Sequence, residues 1–107
     1  MKKHVLPPDL PLQPFFTYRG LQFFFYSHEH TPVHVHIRFE GCEGKATFFY
    51  ENGKLLKLKL SPVKGKKPLV GEALKEAQLF VDKHFEEITQ QWIDYFIYHK
   101  PILTKQL

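Results

Sequence analysis

Cysteine is nearly absent from this chain, which has a single one, Cys42, among 107 residues. One cysteine cannot form a disulfide within the chain, and it lacks the paired spacing of a thiolate zinc site. No apolar run approaches the roughly 18 residues that a membrane-spanning helix needs. Prolines follow Met1–His4 where a signal peptide would need an apolar stretch. These absences predict a cytoplasmic protein with no membrane partner.

Acidic residues are the minority among the charged ones, with 11 Asp and Glu against 15 Lys and Arg. The formal net charge of +4 weakly favours anionic partners through long-range attraction. Hydrophobic residues make up 43% of the chain, which is enough for one core but not for two. We therefore expect a single domain at residues 15–100, between a proline-rich arm at 1–14 and a tail at 101–107.

Histidine, in contrast, is concentrated: three of the seven histidines fall between His30 and His36. From Val33 onward, apolar and polar residues alternate, which predicts a strand in which residues two apart share a face. His34, His36 and Arg38 therefore lie on one face. Imidazoles in this spacing can bind one metal ion or one phosphate, or act on one reacting group, so this strand is the first place to look for function.

Three further segments have the composition of strands. They are Leu21–Tyr26, Lys45–Tyr50 and Lys54–Leu60. Asn52-Gly53, between the last two, is a dipeptide that favours a type I′ hairpin turn. Another turn is expected at Glu40–Gly44. Together with the histidine-bearing strand, these segments predict a four-stranded antiparallel meander whose spatial order follows the chain.

After Gly71 the apolar residues recur every three or four positions, which is typical of an amphipathic helix. A continuous helix from Val70 to Tyr98 would be roughly 43 Å long, whereas four strands side by side cover only about 19 Å. Either the helix breaks near Asp82–His84, which we expect, or its end overhangs the sheet and meets another subunit. The predicted fold class is α+β, with a four-stranded antiparallel sheet packed on one face by a long or broken C-terminal helix.

A helix on one face of the sheet would leave the opposite face open. Alternation assigns five chemistry-bearing residues to that face: His34, His36, Arg38, Lys57 and Lys59. On the first strand both alternating sets are largely aromatic, and the more polar set, Gln22, Phe24 and Tyr26, is the one expected on the open face. Lys45, Thr47 and Phe49 of the third strand can also lie there. Cations between aromatic rings on a sheet bind single-stranded nucleic acid through phosphates and stacked bases, so Phe24, Tyr26, Arg38, Lys57 and Lys59 are candidate RNA contacts. The alternative is an ordinary solvated face whose cations prevent aggregation.

The histidine cluster has three chemical interpretations. In the first, His34 and His36 bind a divalent metal such as zinc or nickel, and His30, or alternatively His28 or Glu29, completes the site from the turn. In the second, His34, His36 and Glu29 perform acid–base chemistry on a phosphodiester while Arg38 stabilises the developing charge. In the third, the alternating histidines resemble those of histidine-triad nucleotide hydrolases, although Arg38 stands where the next histidine of that family should be. Alternatively, the histidines only hydrogen-bond the turn or cap the open face.

The segment Gly20–Phe39 resembles a small bacterial family known as Domain of Unknown Function 4160. The residues that carry the resemblance are Glu29-His30, Pro32, His34-Val35-His36-Ile37, the reversed pair Lys45-Ala46 and, in the helix, Trp92. Two features depart from the family pattern. Val33 stands where a second proline is common, and the segment 52–67 is longer than usual. The resemblance covers roughly residues 19–97.

The resemblance implies little about chemistry, because this family has no settled activity. Its members look like one partner of small two-gene modules and have been proposed as toxin–antitoxin components. The resemblance thus implies a toxin–antitoxin-type protein with a small cognate partner, which would fit a basic, aromatic sheet that binds or acts on RNA. The alternative is a non-enzymatic, metal-binding protein-interaction module, and a homodimer is compatible with either function.

Overall fold

The computed structural model describes residues 9–28 and 31–107, so the predicted roles of Glu29 and His30 lie outside the described residues. The elements are β1 (Phe16–Tyr18), β2 (Leu21–Phe24), β3 (His34–Phe39), β4 (Cys42–Glu51), β5 (Lys54–Pro62), α1 (Gly71–Phe96) and β6 (Lys105–Gln106). Within these residues one sheet has the order β5-β4-β3-β2-β1-β6. The α+β class is confirmed, but the sheet has six strands rather than four.

The two additional strands lie at the same edge of the sheet. β1 pairs antiparallel with β2, whereas β6 pairs parallel with β1, so the sheet is mixed rather than purely antiparallel. The Lys105 amide donates to the Phe15 carbonyl at 2.9 Å, and the Leu107 amide donates to the Thr17 carbonyl at 2.8 Å. Strands of three and two residues are too short to show an alternating pattern, which is why the sequence does not predict them.

Three of the hairpins turn through two residues that both have positive φ, as a type I′ turn requires. Asn52-Gly53, with φ of 51° and 78°, confirms the predicted turn. Two other turns have the same conformation. The φ angles are 49° and 83° at Arg19-Gly20, and 45° and 81° at Glu40-Gly41. The predicted five-residue turn after β3 is therefore wrong, because two residues complete it. Cys42–Gly44 belong to β4, and Glu43 becomes a residue of the sheet.

The core lies between α1 and the face of the sheet that alternation predicted to be apolar. Phe23 pairs with Ile37, and Val35 pairs with Ala46, and all four side chains are fully buried. From the helix, Phe80 stacks on Phe23 with ring centroids 4.3 Å apart. Because strand side chains alternate, the neighbours of these residues point to the opposite face of the sheet.

The predicted break in the helix is confirmed at His84, whose φ of −114° and ψ of 19° are not helical. Both halves of α1 contribute buried residues, including Phe80 and Val81 before the kink and Ile88 and Trp92 after it. A straight helix of 26 residues would be about 39 Å long, which exceeds the length of a typical strand. The bend at His84 lets residues of both halves be buried. No helix in the described ranges is long and apolar enough to cross a membrane.

Truncating Phe80 to alanine should strongly destabilise the fold. Its side chain is 4% exposed and contacts the rings of Tyr18 and Phe23. We expect Phe80→Ala to lower the free energy of unfolding by about 3–5 kcal/mol, measured by chemical denaturation. Leu79→Ala is the matched control, since Leu79 is 55% exposed and should change stability by less than about 0.5 kcal/mol. Equal effects of the two variants would contradict this packing.

Candidate functional site on the open face of the sheet

The face of the sheet opposite α1, here called the open face, brings most of the predicted site residues together. The pairing register places Phe24, His36 and Lys45 side by side on three strands. A neighbouring row holds His34, Thr47 and Lys59. The open face comprises Gln22, Phe24, Tyr26, His34, His36, Arg38, Glu43, Lys45, Thr47, Phe49, Lys57, Lys59 and Ser61.

Three side chains of the open face form a hydrogen-bonded Tyr26–Glu43–His36 network. The Tyr26 hydroxyl donates to Glu43 Oε2 at 2.9 Å, and His36 Nδ1 lies 3.1 Å from the same oxygen. Glu43 is 4% exposed and His36 is 7% exposed. Because a carboxylate oxygen accepts, His36 Nδ1 is the donor, and Nε2 carries the lone pair of the neutral ring. Carboxylates orient catalytic and metal-binding imidazoles in this way.

His34 is held in the same tautomer by a backbone group. Its Nδ1 lies 2.9 Å from the Pro32 carbonyl oxygen, which can only accept a hydrogen bond. The Nε2 atom therefore carries the lone pair of the neutral His34 ring as well. The centroids of the His34 and His36 rings are 5.4 Å apart. Two imidazoles with the same tautomer thus stand next to each other on β3.

Arg38 is fixed by two neighbours on β2. Its Nε donates to Gln22 Oε1 at 3.0 Å, and its guanidinium carbon lies 4.5 Å from the centroid of the Phe24 ring. The terminal guanidinium nitrogens make no hydrogen bond to another residue in the part of the chain that the structure describes. A surface pocket of about 440 Å³ lies beside Arg38; Tyr26, Lys66 and the carboxylates of Asp9 and Glu43 also line it. This geometry suits the capture of a phosphate oxygen.

The predicted nucleic-acid contacts differ in their accessibility. Lys57 and Lys59 are exposed on β5, at one edge of the sheet. Tyr26 is half-buried, and its hydroxyl is bound to Glu43. Phe24 is fully buried beneath Arg38, so no surface of its ring is available for a stacked base in this conformation.

Of the predicted catalytic residues, the structure brings together His34, His36 and Arg38, and of the predicted metal ligands it brings together His34 and His36. Glu29 and His30 belong to the segment that is not described. Within residues 9–28 and 31–107, no group of three or more His, Cys, Asp or Glu side chains could hold a metal ion. A metal at this site therefore stays a prediction.

Glu43 is the site residue that sequence reasoning missed. The sequence pattern predicts a turn at this position, whereas the register pairs Glu43 with Arg38 on the open face. A two-residue turn at Glu40-Gly41 predicts the position of Glu43 on the open face. Alternation from Cys42 then places Glu43 and Lys45 on the same face.

The hydroxyl of Tyr26 is held in its protonated form. Burial, followed by the hydrogen bond and negative charge of Glu43, raises the pKa of Tyr26 from 10.0 to about 12. Tyr26 is therefore a hydrogen-bond donor at neutral pH. Because its pKa is higher in the folded chain than in the unfolded chain, its contribution to stability is fully present below pH 10 and is lost as the pH rises to about 12.

Replacing Glu43 by glutamine should lower the pKa of Tyr26, because the variant lacks the negative charge. The pKa should stay above 10.0, since burial is the largest cause of the shift. The ultraviolet absorbance of tyrosinate during an alkaline titration measures this, with Tyr26→Phe identifying the signal. Glu51→Gln, at an exposed position of the same strand, is the control. A Tyr26 titration that is identical in wild type and Glu43→Gln would contradict the network.

Comparisons with known proteins identify the family of this chain. No curated protein and no solved structure matches the chain. A family model described as a domain of unknown function, DUF4160, matches residues 20–93, which is more than half of the chain. The matched region contains β2 to β5 and most of α1, and therefore all of the open face. The resemblance noted in the sequence is thus confirmed, and the chain belongs to the DUF4160 family.

Proposed function

We propose that this protein binds single-stranded RNA on the open face and cleaves it there. The observation that carries the proposal is the position of Arg38, whose guanidinium lies over the ring of Phe24 and is held by Gln22. Arginine presents a planar fork of donors that matches the oxygens of a phosphate. An arginine that is already immobilised loses little side-chain entropy when it binds such a group.

The charges of the open face support an anionic ligand. Among the residues that define this face, four are permanent cations: Arg38, Lys45, Lys57 and Lys59. Alternation on β4 also places the exposed Glu51 on this side, opposite Lys54 in the register. The carboxylate of Glu43 is buried and already accepts hydrogen bonds from Tyr26 and His36. Phosphates of a nucleic acid would therefore meet a positive surface, and their binding would release counterions.

The paired imidazoles support cleavage in addition to binding. In the proposed reaction, one histidine removes the proton of the 2′-hydroxyl, which attacks the adjacent phosphorus. The other histidine protonates the leaving 5′-oxygen as the P–O5′ bond breaks, which leaves a 2′,3′-cyclic phosphate. Arg38 would stabilise the charge that develops on the phosphate oxygens. Glu43 would position His36 through Nδ1 and stabilise its protonated form.

The alternative protein-interaction module has weaker support. Strand addition would need a receptive edge, and β5 is the long edge strand of the sheet. The register shift opposite Phe49 and Tyr50 leaves Leu56 as an extra residue, and Lys57 and Lys59 follow it. Bulges and lysines on an edge oppose strand addition. A toxin–antitoxin-type role, with a cognate partner protein, stays a prediction from the family resemblance.

RNA binding should depend on Arg38 and on salt. We expect Arg38→Ala to weaken the binding of a labelled single-stranded RNA about tenfold in fluorescence anisotropy. The slope of log affinity against log salt should become shallower by about 0.7 for each phosphate that the variant no longer neutralises. Lys75→Ala, which removes an exposed cation from α1, is the control. Equal effects of the two variants, or wild-type binding that is insensitive to salt, would contradict a specific interaction between Arg38 and a phosphate.

Cleavage should require both imidazoles. His34→Ala and His36→Ala should each lower the rate of RNA cleavage by about 10²–10⁴-fold, with RNA affinity nearly unchanged. An oligonucleotide with 2′-deoxyribose at the cleaved position should not be cleaved, because it lacks the attacking 2′-hydroxyl. The control variant His99→Ala, at an exposed position after α1, should cleave RNA at the wild-type rate.

Chelation separates the acid–base mechanism from the predicted metal site. Cleavage that survives a chelator supports the acid–base mechanism. Cleavage that disappears on chelation and is restored by zinc or nickel would assign His34 and His36 to metal binding instead. If wild-type protein cleaves no RNA under any of these conditions, the catalytic part of the proposal is wrong.

A further inference from the structure

Phe49 is an exposed aromatic residue that the proposed reaction does not use. It pairs with Lys57 in the register, which places it on the open face, and its side chain is 38% exposed. The next residue, Tyr50, points the other way and hydrogen-bonds Thr89 of α1. Phe24, which the sequence predicts to stack on a base, is fully buried and has no exposed ring surface. Phe49 does have an exposed ring surface.

Two lysines flank Phe49 on the neighbouring strand. Lys57 lies directly opposite, where Cβ atoms of paired residues are about 4.5–5.5 Å apart, and Lys59 is the diagonal neighbour. Both lysines are exposed. The register shift falls directly after Phe49, and bulges of this kind re-aim side chains at the edge of a sheet. The result is an aromatic ring beside two cations at the surface.

This cluster is continuous with the imidazole pair. Thr47 lies two residues before Phe49 on β4, at a distance of about 6.8 Å along the strand. Thr47 pairs with His34 on one side and with Lys59 on the other. A nucleotide whose base covers Phe49 would therefore have its neighbouring phosphate near the row that contains His34.

We propose that Phe49, Lys57 and Lys59 form a base-stacking subsite that holds an unpaired nucleotide of the RNA next to the cleavage position. The inference rests on the proposed function and extends it to the substrate class. Stacking uses the flat surface that every base has, so the subsite would accept any base. It would reject duplex RNA, whose bases already stack on each other. The flanking lysines favour a phosphate-bearing occupant over an apolar protein surface, which would bury both cations without partners.

The test compares two ligands of equal length and charge: a single-stranded RNA and the same oligonucleotide with abasic sites. We expect Phe49→Ala to weaken binding of the RNA by roughly 5- to 150-fold, the range for removing one base–aromatic stack. Binding of the abasic ligand should be unchanged, because its phosphates still meet Lys57 and Lys59. Phe49→Trp should retain or increase RNA affinity. Tyr98→Ala, which removes an exposed aromatic ring after α1, is the control.

The possible results separate a failure of the proposed subsite from a failure of the proposed RNA binding. If Phe49→Ala binds RNA as wild type does while Arg38→Ala weakens it, the subsite is wrong and RNA binding stands. If Phe49→Ala weakens the binding of the RNA and of the abasic oligonucleotide equally, Phe49 does not act by stacking on a base, and the proposed subsite is again wrong. If wild-type protein binds neither ligand, both proposals fail. Phe49→Leu, which keeps apolar bulk without an aromatic surface, replaces Phe49→Ala if circular dichroism shows that the alanine variant does not fold.

Discussion

The packing of α1 against one face of the sheet is the constraint on which the remaining structure depends. Phe80 stacks on Phe23, and the buried side chains of β3 and β4 complete this layer. Because strand side chains alternate, burying Val35 and Ile37 forces His34 and His36 to the other face. A register shift of one residue would place imidazoles in the core, which the loss of apolar burial opposes. Hydrophobic burial therefore decides where the chemistry of the open face lies.

Local polar contacts then fix the side-chain conformations on the open face. Glu43 is almost fully buried, and a buried carboxylate is tolerated because Tyr26 and His36 hydrogen-bond it. Arg38 is held in a comparable way by Gln22 and the ring beneath it. These side chains project from regular strands or are tied to them. A site of this kind needs little rearrangement before it binds a ligand.

The family match and the strand arrangement divide the sheet into two parts. The strands that carry the open face, β2 to β5, lie within the matched residues 20–93. β1 and β6 lie outside this region, and β6 pairs parallel with β1 at the edge opposite β5. The proposed RNA-binding and stacking residues thus belong to the part of the chain that defines the family, whereas β1 and β6 extend the sheet beyond it.

The sequence by itself determined the α+β class, the Asn52-Gly53 turn, the helix break at His84 and the side of the sheet that holds His34, His36 and Arg38. The fold class, the turn and the side of the sheet follow from periodicity or from the backbone preferences of a few residues, which are local properties. The break near Asp82–His84 follows from the length of the helix compared with the width of the sheet. Only the tertiary structure decided the short strands β1 and β6, the burial of Phe24 under Arg38 and the contacts of Glu43. These depend on pairing between distant segments. A local pattern can place Glu43 on the open face, but it does not encode the contacts of Glu43 with Tyr26 and His36.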